Sequence, residues 1–221
     1  MKAKTPTIAI SGMIGVGKTT LTGILEDEMG LEPMYEPVEE NPLLAKFYKD
    51  PVRYGFNLQM FFLTQRFEAM QHALWHGGKI LDRHLGEDIV FARQNFEAGN
   101  ISDIDFQTYV RLLDNMKNSL RGLPSAAPDL TIYLESDLEH VMANIKKRGR
   151  AFEQAEQGSE QMNYYETLLA QYNPWYESYN WTPKLKFDMT QLDLNNPDDK
   201  DYMVNKILTT LGFEPNKPEE D

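Results

Sequence analysis

Apolar positions along the chain fall into two patterns, short runs bounded by turn residues and longer stretches that repeat every three or four residues. The short runs predict strands that are buried on both faces, and the longer stretches predict helices that cross between them. The alternation of the two predicts an α/β fold with a parallel, doubly wound sheet. The predicted strands cover residues 7–11, 32–38, 79–82, 129–134 and 184–188.

The predicted helices are bounded by capping and stop signals. The longest covers residues 54–75 and stops at the pair Gly77 and Gly78. A helix over 164–181 carries aromatic residues at helical spacing, which we interpret as a packing stripe or a dimer contact. The other predicted helices cover residues 20–26, 41–47, 101–120, 137–147 and 202–211.

The composition fits a single domain over residues 1–221, because a chain of this length can bury one substantial core and contains no linker rich in Pro, Gly or Ser. A formal charge of −12 argues against non-specific binding of nucleic acid or of an anionic membrane, since both need a basic surface. Without cysteine, the chain has neither a disulfide framework nor a thiolate metal site. The first residues lack the apolar core of a signal peptide and no apolar run reaches membrane-spanning length, so we expect a cytoplasmic protein.

The strongest motif is the glycine-rich segment 12–19, which lies between the first predicted strand and a helical pattern and fits G-x-x-x-x-G-K-[ST]. Its glycines let successive backbone N–H groups point into one concavity at a helix N-terminus, which forms a cradle for phosphates. We expect Lys18 to reach the β- and γ-phosphates and Thr19 to offer its hydroxyl to Mg²⁺. The predicted nucleotide cradle consists of Gly12, Met13, Ile14, Gly15, Val16, Gly17, Lys18, Thr19 and Thr20.

Glu36 lies at the carboxyl end of a predicted strand and is biased toward an extended conformation by Pro37. Ligands of doubly wound sheets bind at that edge, so this carboxylate can be a general base. It can equally be a solvated surface group, because Glu39 and Glu40 make the segment acidic. The residues alone leave both interpretations open.

Gln59, Phe62 and Arg66 share one face of the helix over 54–75, because they are spaced at i, i+3 and i+7. Polar groups on an otherwise apolar stripe need partners if they are buried, and a planar ligand with hydrogen-bonding edges would supply them. Alternatively, Gln59 and Arg66 lie at the margin of the stripe and reach water.

Asp82 ends a buried strand beside the predicted phosphate cradle, a position from which a carboxylate commonly serves a metal ion. The adjacent Arg83 can brace a phosphoryl group with its planar, permanently charged fork. A structural ion pair is the alternative for Asp82.

The densest basic cluster of this acidic chain lies at residues 146–150, at the end of a predicted helix. Arg148 and Arg150 can close over a triphosphate as a mobile lid and neutralise developing charge. Basic residues also suit the negative end of a helix dipole, which is the alternative.

Taken in order, these motifs resemble the deoxyribonucleoside kinase family, most closely its bacterial deoxyadenosine and deoxyguanosine kinases. The resemblance covers nearly the whole chain and implies a P-loop kinase with a five-stranded parallel sheet flanked by helices and a short arginine-bearing lid. It also implies ATP as phosphate donor, Mg²⁺, and a homodimer or a heterodimer with a related subunit. The motifs that carry the resemblance are the phosphate loop, Tyr35-Glu36-Pro37-Val38, Asn41-Pro42, the helix segment 59–66, Asp82-Arg83, residues 148–153 and Asn173-Pro174-Trp175-Tyr176.

The resemblance implies that Glu36 accepts the proton of the nucleoside 5′-hydroxyl as it attacks the γ-phosphate. Arg83 would hold both Glu36 and the transferring group. The implied catalytic residues are Glu36, Arg83, Lys18, Arg148 and Arg150, and the implied metal ligands are Thr19 and Asp82.

In the implied nucleoside pocket, Gln59, Arg66 and Asp88 read the base, while Tyr48 and Glu153 hold the sugar 3′-hydroxyl. An amide suits adenine N6 and N7 in the way that amides read that edge in DNA. The full implied pocket contains Glu36, Tyr48, Gln59, Phe62, Arg66, Arg83, Asp88 and Glu153.

Two positions depart from the family pattern. His84 stands where the family usually has Ser, and the sequence gives it no defined role beyond that of a hydrogen-bonded structural histidine. Asn144 stands where many members carry an arginine, and Lys147 is a candidate substitute.

The sequence therefore predicts ATP-dependent phosphorylation of a deoxyribonucleoside, with deoxyadenosine favoured and deoxyguanosine and deoxycytidine as alternatives. A nucleoside monophosphate kinase of the thymidylate kinase type is a second hypothesis, but its acceptor phosphate would need cations where this pocket offers carboxylates. A third hypothesis is a non-catalytic nucleotide-binding partner subunit.

Overall fold

A computed structural model of the chain describes residues 5–36 and 41–216. It contains a five-stranded parallel sheet in the order β2-β3-β1-β4-β5. The strands are β1 (Ile8–Gly12), β2 (Glu32–Met34), β3 (Lys79–Asp82), β4 (Leu130–Glu135) and β5 (Lys184–Asp188). The fold class and the number of strands expected from the sequence are confirmed.

Helices cover both faces of the sheet. They are α1 (Lys18–Met29), α2 (Leu44–Lys49), α3 (Pro51–His76), α4 (Asp88–Glu97), α5 (Asp103–Leu120), α6 (Leu138–Arg148), α7 (Glu160–Ser178) and α8 (Pro197–Thr210). Two short 3₁₀ turns, Leu85–Glu87 and Ala151–Glu153, precede α4 and follow α6.

The central strand β1 sends alternate side chains into two different hydrophobic clusters, as a strand buried on both faces must. Ile8 and Ile10 belong to one cluster, and Ala9 belongs to the other. The chain leaves β1 toward β2 on one side and later crosses over β1 from β3 to β4 on the other side. The carboxyl ends of β1 and β3 therefore flank the switch point of the sheet, where ligands bind in such folds.

Several predicted boundaries were wrong at helix starts. Helix α3 begins at Pro51 and not at 54, because Asp50 caps it by accepting a hydrogen bond from the Arg53 N–H at 3.1 Å and proline suits the first helical position. Asn196 caps α8 in the same way, before Pro197. Helix α7 begins at 160 and ends at 178, earlier than predicted at both ends.

The other errors concern short elements. Helix α2 covers 44–49 in place of 41–47, because Asn41 forms a turn before the helix in which its Oδ1 accepts from the Leu43 and Leu44 N–H groups. Strand β2 ends at Met34, and residues 37 and 38 of the predicted strand lie outside the described residues. Helix α4 was not predicted. The aromatic stripe of α7 is a packing stripe, because Leu168, Tyr172, Trp175 and Tyr179 are all buried within the chain.

Candidate active site

The phosphate loop connects β1 to α1 and needs glycine at two of its positions for both conformation and space. Gly12 and Gly15 have φ values of 142° and 82°, in the left-handed region that favours glycine. A Cβ at Gly12 would lie 2.6 Å from the Leu134 carbonyl oxygen, and one at Gly15 would lie 2.9 Å from that of Val141. The loop therefore packs closely against β4 and α6, which fixes its shape.

Lys18 is folded back onto the phosphate loop. Its Nζ donates hydrogen bonds to the carbonyl oxygens of Gly12 and Met13, both at 2.8 Å. Burial, followed by the nearby charge of Arg83, lowers the pKa of Lys18 to about 7. A bound triphosphate would add negative charge beside this amine and favour its protonated form.

Thr19 and Asp82 are brought together at the mouth of the loop. The Thr19 hydroxyl donates to Asp82 Oδ2 at 2.7 Å. These are hard oxygen ligands, and Mg²⁺ in nucleotide sites is typically held by one or two such groups together with phosphate oxygens and water. The pair therefore fits Mg²⁺, although the described residues contain no group of three or more His, Cys, Asp or Glu side chains suited to hold a metal alone.

Arg83 follows β3 with a φ of 105°, an uncommon backbone conformation for a residue that is not glycine. Its Nε donates to Glu36 Oε2 at 3.1 Å, and its guanidinium lies over the Phe91 ring, with Cζ 4.7 Å from the ring centroid. The Nη1 atom donates to the Gly12 carbonyl oxygen at 3.3 Å. The side chain thus contacts the predicted base and the phosphate loop together.

Glu36 is held by two arginines, Arg83 at Oε2 and Arg66 at Oε1. Its side chain is only 12% exposed, which rules out the solvated surface carboxylate that the sequence left open. Burial alone would raise the pKa of Glu36, but Arg66, Arg83 and Lys18 outweigh it and lower the pKa to about 2. The carboxylate is therefore ionised at neutral pH.

Gln59 and Arg66 are buried on the inner face of α3, so they do not lie at a wet margin of the stripe. Arg66 lies over the Phe62 ring at 4.8 Å and forms an ion pair with Asp88. Asp88 is fully buried beneath Arg66. A ligand in the cavity would therefore meet Gln59, Phe62 and Arg66 directly and Asp88 through Arg66.

The predicted sugar contacts Tyr48 and Glu153 are linked by Tyr165. The hydroxyl of Tyr165 lies 3.4 Å from the Tyr48 hydroxyl and 3.0 Å from the Glu153 carbonyl oxygen. The Glu153 carboxylate pairs with the lid residues Arg148, at 2.6 Å, and Arg150, at 3.4 Å. The arginine-bearing segment thus reaches the nucleoside side of the site through Glu153.

One cavity of about 860 Å³ joins the two halves of the site. Of the predicted residues, Gly12, Met13 and Asp88 do not line it: the two loop residues hold Lys18 from below, and Asp88 holds Arg66. The predicted residues that line it are Ile14, Gly15, Val16, Gly17, Lys18, Thr19, Thr20, Glu36, Tyr48, Gln59, Phe62, Arg66, Asp82, Arg83, Arg148, Arg150 and Glu153.

The two positions that depart from the family pattern have structural partners. Asn144 donates from Nδ2 to the Gly15 carbonyl oxygen at 2.9 Å, so it ties α6 to the phosphate loop. His84 is fully buried, accepts from the Gly86 N–H at Nδ1 (2.8 Å) and contacts the Tyr179 hydroxyl at Nε2 (3.0 Å). Burial lowers the pKa of His84 to about 3, so the ring is neutral.

Sequence reasoning missed two parts of the site. Residues 192–195, after β5, line the nucleotide end of the cavity, and no motif marks them. Glu87 is fully buried and contacts Arg83 and the N–H of Gly12. The local sequence shows only that Glu87 lies shortly after Asp82-Arg83. An acidic residue in such a segment is usually an exposed surface group, so the sequence does not predict its burial.

The sheet order, the phosphate loop at the switch point and the adjoining acceptor pocket define a nucleotide-dependent phosphotransferase of the P-loop class. None of the helices in the described ranges has the length and apolar character needed to cross a membrane.

The deoxynucleoside kinase family model matches residues 8–211, and the chain belongs to that family. A deoxyguanosine kinase of Lactobacillus acidophilus is 38% identical over 92% of this chain and 90% of its own. A deoxyadenosine kinase of the same organism is 39% identical over 84% of this chain and 86% of its own. The structure of deoxyadenosine kinase from M. mycoides with bound dCTP has a TM-score of 0.77, with 30% identity over 92% of this chain and 99% of that one. The predicted family, fold and enzyme class are confirmed.

Proposed function

We propose that this kinase transfers the γ-phosphoryl group of ATP to the 5′-hydroxyl of a deoxyribonucleoside, with deoxyadenosine as the preferred acceptor. The observation that carries the proposal is the position of Glu36, an ionised carboxylate between the phosphate loop and the Gln59–Arg66 face. A general base in that place serves an acceptor whose sugar lies over Glu36 and whose base lies against α3.

The preference for deoxyadenosine rests on Gln59, whose amide can donate to N7 or N1 acceptors and accept from the exocyclic N6 group. Arg66 can only donate, so it also suits the O6 and N7 acceptors of guanine. The names of the relatives, deoxyguanosine kinase and deoxyadenosine kinase, support a purine deoxynucleoside.

Both oxygens of Glu36 are paired with arginines, Oε1 with Arg66 and Oε2 with Arg83. A nucleobase that engages Arg66 draws it away from Oε1, which leaves that oxygen to accept the 5′-hydroxyl proton. Arg83 stays on Oε2 and directs its charge toward the transferring phosphoryl group. Because phosphoryl transfer passes through a loose transition state, positioning and charge neutralisation supply most of the rate enhancement.

On the donor side, Lys18 contacts the β- and γ-phosphates, and Arg148 and Arg150 close over them. Thr19 and Asp82 would hold Mg²⁺, which supplies neutralisation of phosphate charge when bound. Carboxylates at Glu36 and Glu153 would repel an acceptor that already carries a phosphate, so a nucleoside monophosphate kinase is disfavoured. Dimer formation, a cytoplasmic location and a single domain over 1–221 stay predictions of the sequence.

The test is transfer of labelled phosphate from ATP to a panel of deoxyadenosine, deoxyguanosine, deoxycytidine, thymidine and dTMP, with wild type and Glu36→Gln. We expect deoxyadenosine to give the highest kcat/KM, and Glu36→Gln to lower kcat by roughly 10² to 10⁴-fold with ATP affinity unchanged. Glu166→Gln, an exposed site on α7, is the matched control and should behave as wild type. Undiminished turnover in Glu36→Gln would remove Glu36 from the mechanism, and transfer only to dTMP would overturn the acceptor assignment.

A further inference from the structure

Glu87 is a buried carboxylate whose interactions all point toward the reaction centre. It ends the 3₁₀ turn Leu85–Glu87 and has no exposed surface. Its Oε1 forms an ion pair with Arg83 Nη1, accepts from the Tyr172 hydroxyl at 2.7 Å and accepts from the Gly12 N–H at 3.3 Å. One oxygen atom therefore touches the catalytic arginine, helix α7 and the start of the phosphate loop.

Tyr172, on helix α7, completes this contact. Its hydroxyl donates to Glu87 and accepts a hydrogen bond from Arg83 Nη1 at 3.1 Å. Burial and then the charge of Glu87 raise the pKa of Tyr172 well above its ordinary value, so the phenol keeps the proton that it donates. The three side chains form a closed triangle inside the protein.

The triangle fixes the direction of the Arg83 fork. Glu36 holds the guanidinium at Nε, and the pair Glu87 and Tyr172 hold it at Nη1. A free arginine side chain has several rotamers, and ordering it during the reaction would add to the barrier. A donor group that is already oriented where negative charge develops needs no such reorganisation.

We propose that Glu87 and Tyr172 are positioning residues for phosphoryl transfer. They hold the Arg83 guanidinium in a fixed position relative to Gly12, the first glycine of the phosphate loop. In this arrangement the same buried carboxylate, Glu87, contacts both the phosphate loop on the ATP side and Arg83, which holds Glu36 on the nucleoside side. The inference rests on the role of Arg83 given under the proposed function, and it assigns to Glu87 and Tyr172 no contact with either substrate.

Steady-state kinetics of Glu87→Gln, Tyr172→Phe and the double variant test the proposal. We expect each single variant to lower kcat by about 10- to 100-fold, as loss of a partner that orients a functional group typically does, with both KM values within about threefold of wild type. Because both residues act on Arg83, the double variant should lose much less than the product of the single losses. Unchanged kcat, losses that multiply, or losses that appear mainly in KM would overturn the proposal.

Tyr133→Phe is the matched control. Tyr133 is equally buried, stacks on Tyr172 at a ring distance of 6.1 Å and donates its hydroxyl to Asn173 and not to Arg83. Tyr133→Phe also removes one buried hydroxyl, so it should lower the free energy of unfolding about as much as Tyr172→Phe does. It should leave kcat unchanged. Equal kcat losses in the two variants would mean that Tyr172 has only a structural role. If Glu87→Gln fails to fold, the comparison of Tyr172→Phe with Tyr133→Phe decides.

A readout without turnover separates this proposal from the proposed function. In ¹⁵N-labelled wild-type protein the Nε–H signal of Arg83, identified by its loss in Arg83→Lys, should be sharp and protected from exchange. Tyr172→Phe and Glu87→Gln should broaden it, while Tyr133→Phe should leave it sharp. An unchanged signal in the first two variants refutes the anchoring, whereas anchoring seen in an enzyme that phosphorylates no deoxynucleoside would refute only the proposed function.

Discussion

Glu36 follows a three-residue strand at the edge of the sheet, and its carboxylate lies between two arginines. Arg66 and Arg83 outweigh the effect of burial and bring its pKa to about 2, from an ordinary value of 4.5. The folded state therefore keeps Glu36 ionised where the unfolded state would protonate it. The two arginines thus stabilise the fold as well as the ionised form of the base.

This difference predicts a specific pH dependence of stability. Above pH 4.5 the contribution of ionised Glu36 is fully present, and it is lost as the pH falls toward 2, because the unfolded state then binds a proton that the folded state does not. Wild type should therefore lose about 2 kcal/mol more free energy of unfolding than Glu36→Gln between pH 6 and pH 3. Urea unfolding of both proteins at a series of pH values measures this difference in the free energy of unfolding.

Glu166→Gln is the control for that series, since its side chain is exposed on α7. Its stability should follow wild type at every pH. Stability curves of wild type and Glu36→Gln that run parallel from pH 6 to pH 3 would show that the arginines do not depress the pKa of Glu36.

At the scale of elements, the turn between β3 and α4 carries Asp82, Arg83, Glu87 and Asp88 within seven residues. His84 holds this turn from inside: it accepts from the Gly86 N–H and contacts Tyr179, whose hydroxyl also lies 2.9 Å from Thr182 Oγ1. A neutral imidazole can accept at Nδ1 and donate at Nε2, so it satisfies both neighbours at once. The histidine is therefore suited to a structural task in this turn.

Replacing His84 with Ser, the residue that the family usually carries, should destabilise this chain. The smaller side chain leaves a cavity and removes a partner from the Tyr179 hydroxyl, so we expect a loss of about 2–4 kcal/mol in the free energy of unfolding. Urea denaturation measures the loss, and His72→Ser on the exposed face of α3 serves as control. A change below about 0.5 kcal/mol, as at ordinary surface sites, would show that His84 does not support the turn.

The same turn shows why some elements were predictable and others were not. Buried strands and the long helix α3 follow from local periodicity, and the pairs Asp50-Pro51 and Asn196-Pro197 are local signals that mark the starts of α3 and α8. Helix α4 gives no such signal: its N-cap residue, Glu87, makes no capping hydrogen bond with its side chain. The Glu87 carboxylate pairs with Arg83 and does not cap the helix. The sequence therefore lacks the usual capping residue that marks a helix start.

At the scale of the whole molecule, the site depends on contacts between distant parts of the chain. The phosphate loop was identifiable because its chemistry is local, and the nucleoside pocket was identifiable through the resemblance. The contacts of Glu87 with Gly12 and of Asn144 with Gly15 were not, because they join residues 75 and 129 positions apart along the chain. Contacts of that range leave no periodic trace in a single sequence.

The fold also reconciles a formal charge of −12 with a triphosphate site. The parallel sheet places the phosphate loop and its lysine at the switch point, and α6 brings Arg148 and Arg150 to the same cavity. The carboxylates of Glu36 and Glu153 lie on the acceptor side. Under the proposed function, Lys18 and the two lid arginines would face the donor phosphates, and the arginine-paired carboxylates of Glu36 and Glu153 would face an uncharged nucleoside.

The role of Glu36 as the base can be tested in a structure of the chain with deoxyadenosine and a non-hydrolysable ATP analogue. We expect a Glu36 oxygen within about 3 Å of the nucleoside 5′-oxygen, the γ-phosphate on the opposite side of that 5′-oxygen, and Arg66 turned from Glu36 to the nucleobase. A 5′-hydroxyl more than about 5 Å from Glu36, with Arg66 still on the carboxylate, would contradict it.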